Sequence, residues 1–216
     1  MRTVFDNQLA ALNQELIAMG SQCEKVLSLA AKALTTGDKE LAKTVIPAGK
    51  EIDHMERDIE RLCLKLLLTQ QPIAADLRFI SAALKMITDM ERIGDQAEDI
   101  AEIISFLNGT SCPEDSIVLS MAQAVIQMVT ESVDAFVNRD LDLAQKTIDH
   151  DDVVDNYFTQ AKKALIALVA KQPDNGEYAL DLLMIAKYFE RIGDHATNIA
   201  EWVVFSVTGT HPNAEE

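Results

Sequence analysis

Apolar residues recur at three- and four-residue steps along most of this chain, and the pattern breaks at only a few points. Leu9, Leu12, Leu16, Met19, Cys23, Val26, Leu27, Ala30 and Leu34 form the first stripe, which predicts a helix over residues 1–35. Thr36-Gly37 is a stop signal, and Asp38 is a candidate N-cap for the next helix. That second helix carries Leu41, Val45, Ile52, Met55, Ile59, Leu62 and Leu66 and reaches about Thr69. Pro47 lies inside it. Proline lacks a backbone donor and crowds the preceding turn, so a kink is expected there, or a break with the long helix starting near Ala48. Gln70-Gln71-Pro72 is the next punctuation, and a third helix runs over 73–107 to a stop at Asn108-Gly109. After a linker over 110–115 the pattern restarts. A fourth helix is expected over 116–138, with Met121, Val125, Met128, Val129, Val133 and Phe136 apolar. A fifth opens at Asp140 and continues to about Ala170, a turn cluster covers 172–176, and a sixth runs over 178–207. The polar tail, 208–216, is expected to be loose.

The chain repeats itself. Glu91-Arg92-Ile93-Gly94-Asp95 returns as Glu190-Arg191-Ile192-Gly193-Asp194, 99 positions later, followed by Ala97/Ala196, Ile100/Ile199, Ala101/Ala200 and Glu102/Glu201. At a spacing of 102, Asp38, Leu41, Ala42, Ile46 and Asp53 match Asp140, Leu143, Ala144, Ile148 and Asp155. The prediction is an all-α chain of six helices: two tandem antiparallel three-helix bundles, 1–109 and 110–216, related by internal duplication and packed as one unit. A glycine inside a helix costs ~1 kcal/mol relative to alanine. The chain accepts that cost at the same place in both copies.

Composition narrows the setting. The formal net charge of −16 makes bare nucleic acid an unsuitable partner, since binding to phosphate backbones rests on Lys and Arg. Three cysteines without a Cys-x-x-Cys pair argue against a disulfide framework and a thiolate zinc site. The N-terminus lacks the apolar core of a signal peptide, and no apolar run approaches the ~20 residues needed to span a bilayer. The expected setting is cytoplasmic. No catalytic triad and no phosphate-cradling glycine loop is visible, so catalytic residues are not expected.

The repeated acids carry the candidate chemistry. On a helix, residues four apart differ by about 40° around the axis, so Glu91, Asp95, Glu98 and Glu102 share one stripe with Asp99 at its border. The second copy aligns Glu190, Asp194 and Glu201, with Thr197 and Asn198 in place of Glu98 and Asp99. The preceding helices add Asp53, Glu56 and Glu60 in one half and Asp151, Asp152 and Asp155 in the other. Three readings stay open for these acids: a solvated face, an internal network with Arg92 and Arg191, or a cation site. Facing acidic surfaces repel, and a bridging cation neutralises them. An all-oxygen set suits magnesium, manganese or iron, and zinc if His195 or His54 joins. Glu51-x-x-His54 has the spacing of half a di-iron site, but its counterpart position is Asn156.

The doubled Glu-Arg-Ile-Gly-Asp-x-Ala-x-(Asn/Asp)-Ile-Ala-Glu, with Gln70-Gln71-Pro72-x-Ala74-x-Asp76-Leu77-Arg78 in the first half, resembles the PhoU family over about residues 5–207. The resemblance implies two three-helix bundles, homodimeric assembly and multinuclear sites for divalent or transition metal ions. It implies metal ligands at Glu91, Asp95 and Asp99, and at Glu190, Asp194 and Asn198, with Asp53 and Asp155 as the matching acids on the neighbouring helices. It further implies a cytoplasmic negative regulator of high-affinity phosphate uptake and phosphate signalling. Its partners would be the ATPase subunit of a phosphate ABC transporter and a phosphate-sensing histidine kinase, and it would reach the membrane only through them. Gly49-Lys50 stands where the second half has Asp151-Asp152, so the two sites are expected to have unequal ligand sets. Two alternatives stand beside this one: a carboxylate-type metalloenzyme such as a di-iron oxidase, and a metal-free helical adaptor.

Overall fold

Two aspartates start the second rod of each half in the same way. Asp38 Oδ1 accepts from the backbone N–H groups of Glu40 and Leu41 at 2.9 and 3.0 Å, and Asp140 Oδ1 accepts from that of Leu143 at 3.0 Å. These bonds satisfy donors that a helix start otherwise leaves unpaired. Gly37, at φ 66°, supplies the left-handed residue that ends the first helix just before this cap.

The computed structural model describes residues 2–69, 73–107, 110–113 and 115–212, with residues 2–4 and 69 by backbone alone. Its helices are α1 (Arg2–Thr36), α2 (Lys39–Thr69), α3 (Ala74–Phe106), α4 (Ile117–Asn138), α5 (Leu141–Asp149), α6 (Asp151–Lys171) and α7 (Gly176–Thr208), with a 3₁₀ turn at Pro173–Asn175 before α7. Helices α5 and α6 are consecutive segments of one rod, so the described residues form six helical rods with no strand among them. The Gln70-Gln71-Pro72 turn, the Asn108-Gly109 stop and the tail from 213 onward lie outside the described residues.

The predicted stripes are the core. Leu12, Leu16, Met19, Cys23 and Leu27 of α1, Val45, Ile52, Ile59 and Leu66 of α2, and Met128, Val129 and Phe136 of α4 are buried, as are Ile93, Ala97, Ile100 and Ile104 on the inner face of α3. Within each half the three rods pack on one another, and the halves meet where α3 lies against α7 and α1 against α4. Contacts across the seam run antiparallel. Gly20 of α1 faces Val133 of α4, and Thr130 donates to Glu24 at 3.2 Å. The rings of Phe79 and Phe136 stack at 4.8 Å across the same junction.

Of the two outcomes expected at Pro47, a kink or a break, the break does not occur; a break falls in the other half instead. Helix α2 runs unbroken through Pro47. The interruption is at His150, the counterpart of Ala48 at the 102 spacing, where α5 ends and α6 begins. His150 keeps helical angles (φ −73°, ψ −16°), and its N–H bonds back to the carbonyls of Lys146 and Thr147 at 3.1 and 3.2 Å. The ladder tightens there without unwinding the chain, as 3₁₀-type bonds do at helix ends. The expectation of a loose tail fails as far as residue 211. The His211 ring packs on Trp202 with centroids 4.6 Å apart, because Trp202 stays half-buried and offers an apolar face to cover.

Candidate metal centre

The two motif glycines set the distance between the walls of the site. A Cβ at Gly94 would lie 3.1 Å from Ile52 Cδ1, and one at Gly193 would lie 3.3 Å from Val154 Cγ1. Ile52 and Val154 are counterparts at the 102 spacing, so each half uses one glycine on its third rod and one branched aliphatic residue on its second. The missing Cβ lets the two backbones approach. That approach is why the glycine is repeated.

Asp53 follows Ile52, and Glu91 and Asp95 flank Gly94. One carboxylate oxygen from each of these three residues lies within 4.8 Å of the others, with every side chain half-buried. Like charges at this separation raise one another's proton affinity. The Glu91 carboxyl is pushed up by burial first, then by Asp95, with Arg92 pulling it back and Asp53 and Glu56 adding to the rise. Cations stand at the rim: Arg92 Nη1 is 3.1 Å from Asp95 Oδ2, Arg92 Nε is 3.4 Å from Glu91 Oε2, and Arg57 Nη2 is 3.9 Å from Asp53 Oδ2. Glu98 borders the same space, its carboxyl raised by burial and then by Asp53, against Lys50.

The second half builds a related but looser group. The Asp151 carboxyl is pushed up to about 6 by burial first, then by Asp194 and Asp155, with the neighbouring Thr197 side chain pulling it back. Asp194 is raised by burial and then by Glu190, against Lys187. Lys187 is itself ion-paired with Glu190. Among the described residues, only Asp53, Glu91 and Asp95 reach the three-oxygen approach.

Six of the eight residues expected as ligands therefore line two acidic walls: Asp53, Glu91 and Asp95 between α2 and α3, and Asp155, Glu190 and Asp194 between α6 and α7. The other two turn elsewhere. Asp99 lies beside the Tyr188 hydroxyl on α7, and Asn198 Nδ2 donates to Asp89 Oδ1 on α3 at 3.1 Å. The reason is rotation: eight residues beyond Glu91 the side chain has turned by about 80° around the helix, from the α2 wall to the α3–α7 seam. His195 turns the same way, its Nδ1 2.9 Å from Asp89 Oδ1, so it does not join the second acidic group. Glu51 and His54 are exposed on the outer surface of α2.

The donor set fits hard, multiply charged cations. It is all oxygen, half-buried at Asp53, Glu91 and Asp95, and lined on two facing helices by carboxylates that the side chains at the rim neutralise only in part.

The PhoU domain family model matches residues 16–104 and 118–203, one copy per half. The chain belongs to the PhoU family. It is 36% identical to the phosphate-specific transport system accessory protein PhoU homolog of Clostridium acetobutylicum, covering 96% of both chains. It is also 36% identical to the homolog of Pseudomonas aeruginosa, over 95% of this chain and 86% of that one. The crystal structure of PhoU from Pseudomonas aeruginosa superposes with a TM-score of 0.90 over 95% of this chain and all of that one, at 36% identity. The phosphate transport system regulatory protein PhoU from Streptococcus pneumoniae superposes at 0.87, with 28% identity, covering 97% of this chain and all of that one.

Within this member of the PhoU family the helical layout explains which residues the sequence did not single out. Asp89 and Tyr188 lie on the motif helices at the same 99 spacing as the motif itself, and they meet Asn198 and Asp99, which are counterparts at that spacing too. That spacing was a usable signal. Nothing in the sequence told that Glu98 would lean over α2 at Gly49, because the lean depends on how closely the two helices pack.

Proposed function

We propose that this chain is a metal-binding negative regulator of high-affinity phosphate uptake and phosphate signalling, cytoplasmic and homodimeric, and regulatory rather than catalytic. The observation that carries the reading is the convergence of Asp53, Glu91 and Asp95 at the site where the family's doubled motif lies. The relatives' names support the phosphate context, since they are accessory proteins of phosphate-specific transport systems. The partners that fit are the ATPase subunit of a phosphate ABC transporter and a phosphate-sensing histidine kinase. Among the described residues no helix is long and apolar enough to cross a membrane, which accords with reaching the transporter as a peripheral partner.

Carboxylates from the second and third rods of a half would hold the cation, which would supply the positive charge that neutralises the facing acids. Asp53 supplies one wall; Glu91 and Asp95, one helical turn apart, supply the other. Arg92 and Arg57 hold the same carboxylates at the rim and set how much negative charge remains for the ion. Iron, manganese or magnesium suit this oxygen set, and zinc suits it less because His195 is engaged by Asp89.

Removing the gene from its source organism is expected to raise phosphate uptake in phosphate-replete medium, with wild-type protein restoring control. Unchanged uptake in the deletion strain defeats the regulatory reading. For the metal, replacing both Glu91 and Asp95 by Ala is expected to lower bound metal by elemental analysis in a protein that stays helical. The ion pairs of Arg92 favour a second reading, a metal-free adaptor whose acids are neutralised internally. That reading requires no thermal stabilisation by Mn²⁺, Fe²⁺ or Zn²⁺, since a ligand that binds only the folded state must stabilise it.

A further inference from the structure

The halves differ at one matched pair of positions, and the difference is reciprocal. Gly49 on α2 corresponds to Asp151 on α6, and Glu98 on α3 corresponds to Thr197 on α7. In the first half the second rod offers no side chain at this point and the third rod offers a glutamate. In the second half the second rod offers an aspartate and the third rod only a short hydroxyl. Taken one helix at a time, each change is a lost or gained acid.

Packing joins the two changes. A Cβ at Gly49 would lie 2.5 Å from Glu98 Oε1 and 2.7 Å from Glu98 Cγ. The Glu98 carboxylate therefore fills the volume that a side chain at position 49 would need. In the second half the corresponding space holds Asp151, whose Oδ1 lies 3.7 Å from where a Cβ on Gly193 would stand, with Thr197 beside it. Glu98 feels the charges of Asp53 and Asp95, and Asp151 feels those of Asp155 and Asp194. Each carboxylate thus faces the same matched pair, one from each rod.

We propose that Glu98 and Asp151 are one metal-ligating carboxylate delivered from opposite helices. It completes two matched four-carboxylate sets, Asp53, Glu91, Asp95 and Glu98 in one half and Asp151, Asp155, Glu190 and Asp194 in the other. This rests on the metal reading above and extends it to residues outside the repeated motif. It offsets the imbalance of acids seen along the sequence: each site keeps four carboxylates, and both take the same class of hard cation. Glycine at 49 is required because Glu98 occupies its side-chain space, and a short residue at 197 is required because Asp151 occupies the equivalent one.

The test is a transplant on the full chain. Bound Mn²⁺ per chain is measured by elemental analysis after loading and desalting, with the manganese-induced shift in melting temperature as a second readout and circular dichroism as the check on folding. Glu98→Ala, and the isosteric Glu98→Gln, are expected to lose as much metal as Asp95→Ala, about half the wild-type content. Asp151→Ala is expected to match Asp194→Ala. Gly49→Asp alone places two groups in one space and is expected to lower both metal content and the manganese shift. The double variant Gly49→Asp/Glu98→Thr recreates the second half's arrangement in the first and is expected to recover wild-type loading. The exchange is overturned if Glu98→Gln and Asp151→Ala keep full metal while Asp95→Ala and Asp194→Ala lose it, an outcome that leaves the metal reading standing. It is equally overturned if the double variant loads no better than Gly49→Asp. Wild-type protein that takes up no Mn²⁺ and shows no melting shift overturns the exchange together with the metal reading beneath it.

Discussion

Gly20 on α1 meets Val133 on α4 with no room for another atom: a Cβ at position 20 would stand 2.8 Å from both Val133 methyl carbons. Val133 is branched at Cβ and has few rotamers through which to withdraw. The pair fixes how closely the two halves approach along the α1–α4 seam.

Replacing Gly20 by Ala is therefore expected to destabilise the protein. The gain of ~1 kcal/mol in helix propensity is set against an overpacking cost of roughly 1–3 kcal/mol. Urea unfolding should show a lower midpoint with little change in slope. Adding Val133→Ala should restore part of the loss in a double-mutant cycle, and additive effects would argue against the contact.

Asp89 accepts from Asn198 at 3.1 Å and lies 2.9 Å from His195 Nδ1. Asp89→Ala removes the acceptor from both groups at the α3–α7 seam and is expected to cost about 1–3 kcal/mol. The Asp89/Asn198 cycle should give a coupling of about 0.5–3 kcal/mol. Zero coupling would mean the seam contact contributes nothing.

Stability of the metal-free protein should rise as pH falls from 7 towards 5. Asp151 is raised from 3.8 to about 6 by burial and neighbouring acids, and Glu91, Glu98 and Asp194 are raised in the same direction. A folded-state value above the unfolded one contributes stability that is complete below the unfolded value and lost as pH rises through the folded value. After chelator treatment, the melting temperature should climb between pH 7 and 5, and Asp151→Asn should flatten that slope. Metal affinity should fall over the same range, because ligands must shed protons to bind. A melting temperature that drops steadily from pH 7 to 5 in metal-free protein contradicts this.

The two aspartate caps allow a direct comparison of the halves. Asp38→Ala and Asp140→Ala should each cost ~1 kcal/mol. Both remove a side-chain acceptor from the start of the second rod, so differential calorimetry should find similar losses. A large disparity would show that the two halves do not depend equally on their caps.

Much of the fold was legible in the chain. The stripes of α1, α2 and α4 appear as buried faces, and the Asp38 and Asp140 caps form the bonds their positions suggested. The break that was one alternative at Pro47 does not occur, because one missing donor was outweighed by the packing of a long amphipathic helix. The acidic walls were legible in part. Asp53, Glu91 and Asp95 could be chosen by periodicity and repetition, but Asp99 and Asn198 share the repeat and face the seam. Helical rotation separates these two sets, and it becomes decisive only when the positions of the neighbouring helices are known.

What the sequence determined by itself was the sum of local choices: where helices begin, which faces are apolar, and that one unit is duplicated with its glycine and flanking acids. These follow from backbone donors, helix propensity and the 3.6-residue period, which act within a few residues of each other. What only the tertiary structure decided was which acids meet. Gly94 lies against Ile52, and Glu98 stands over Gly49, because two helices far apart in sequence approach until side-chain volume stops them. Distance between charges is set by that contact, and no spacing along the chain encodes it.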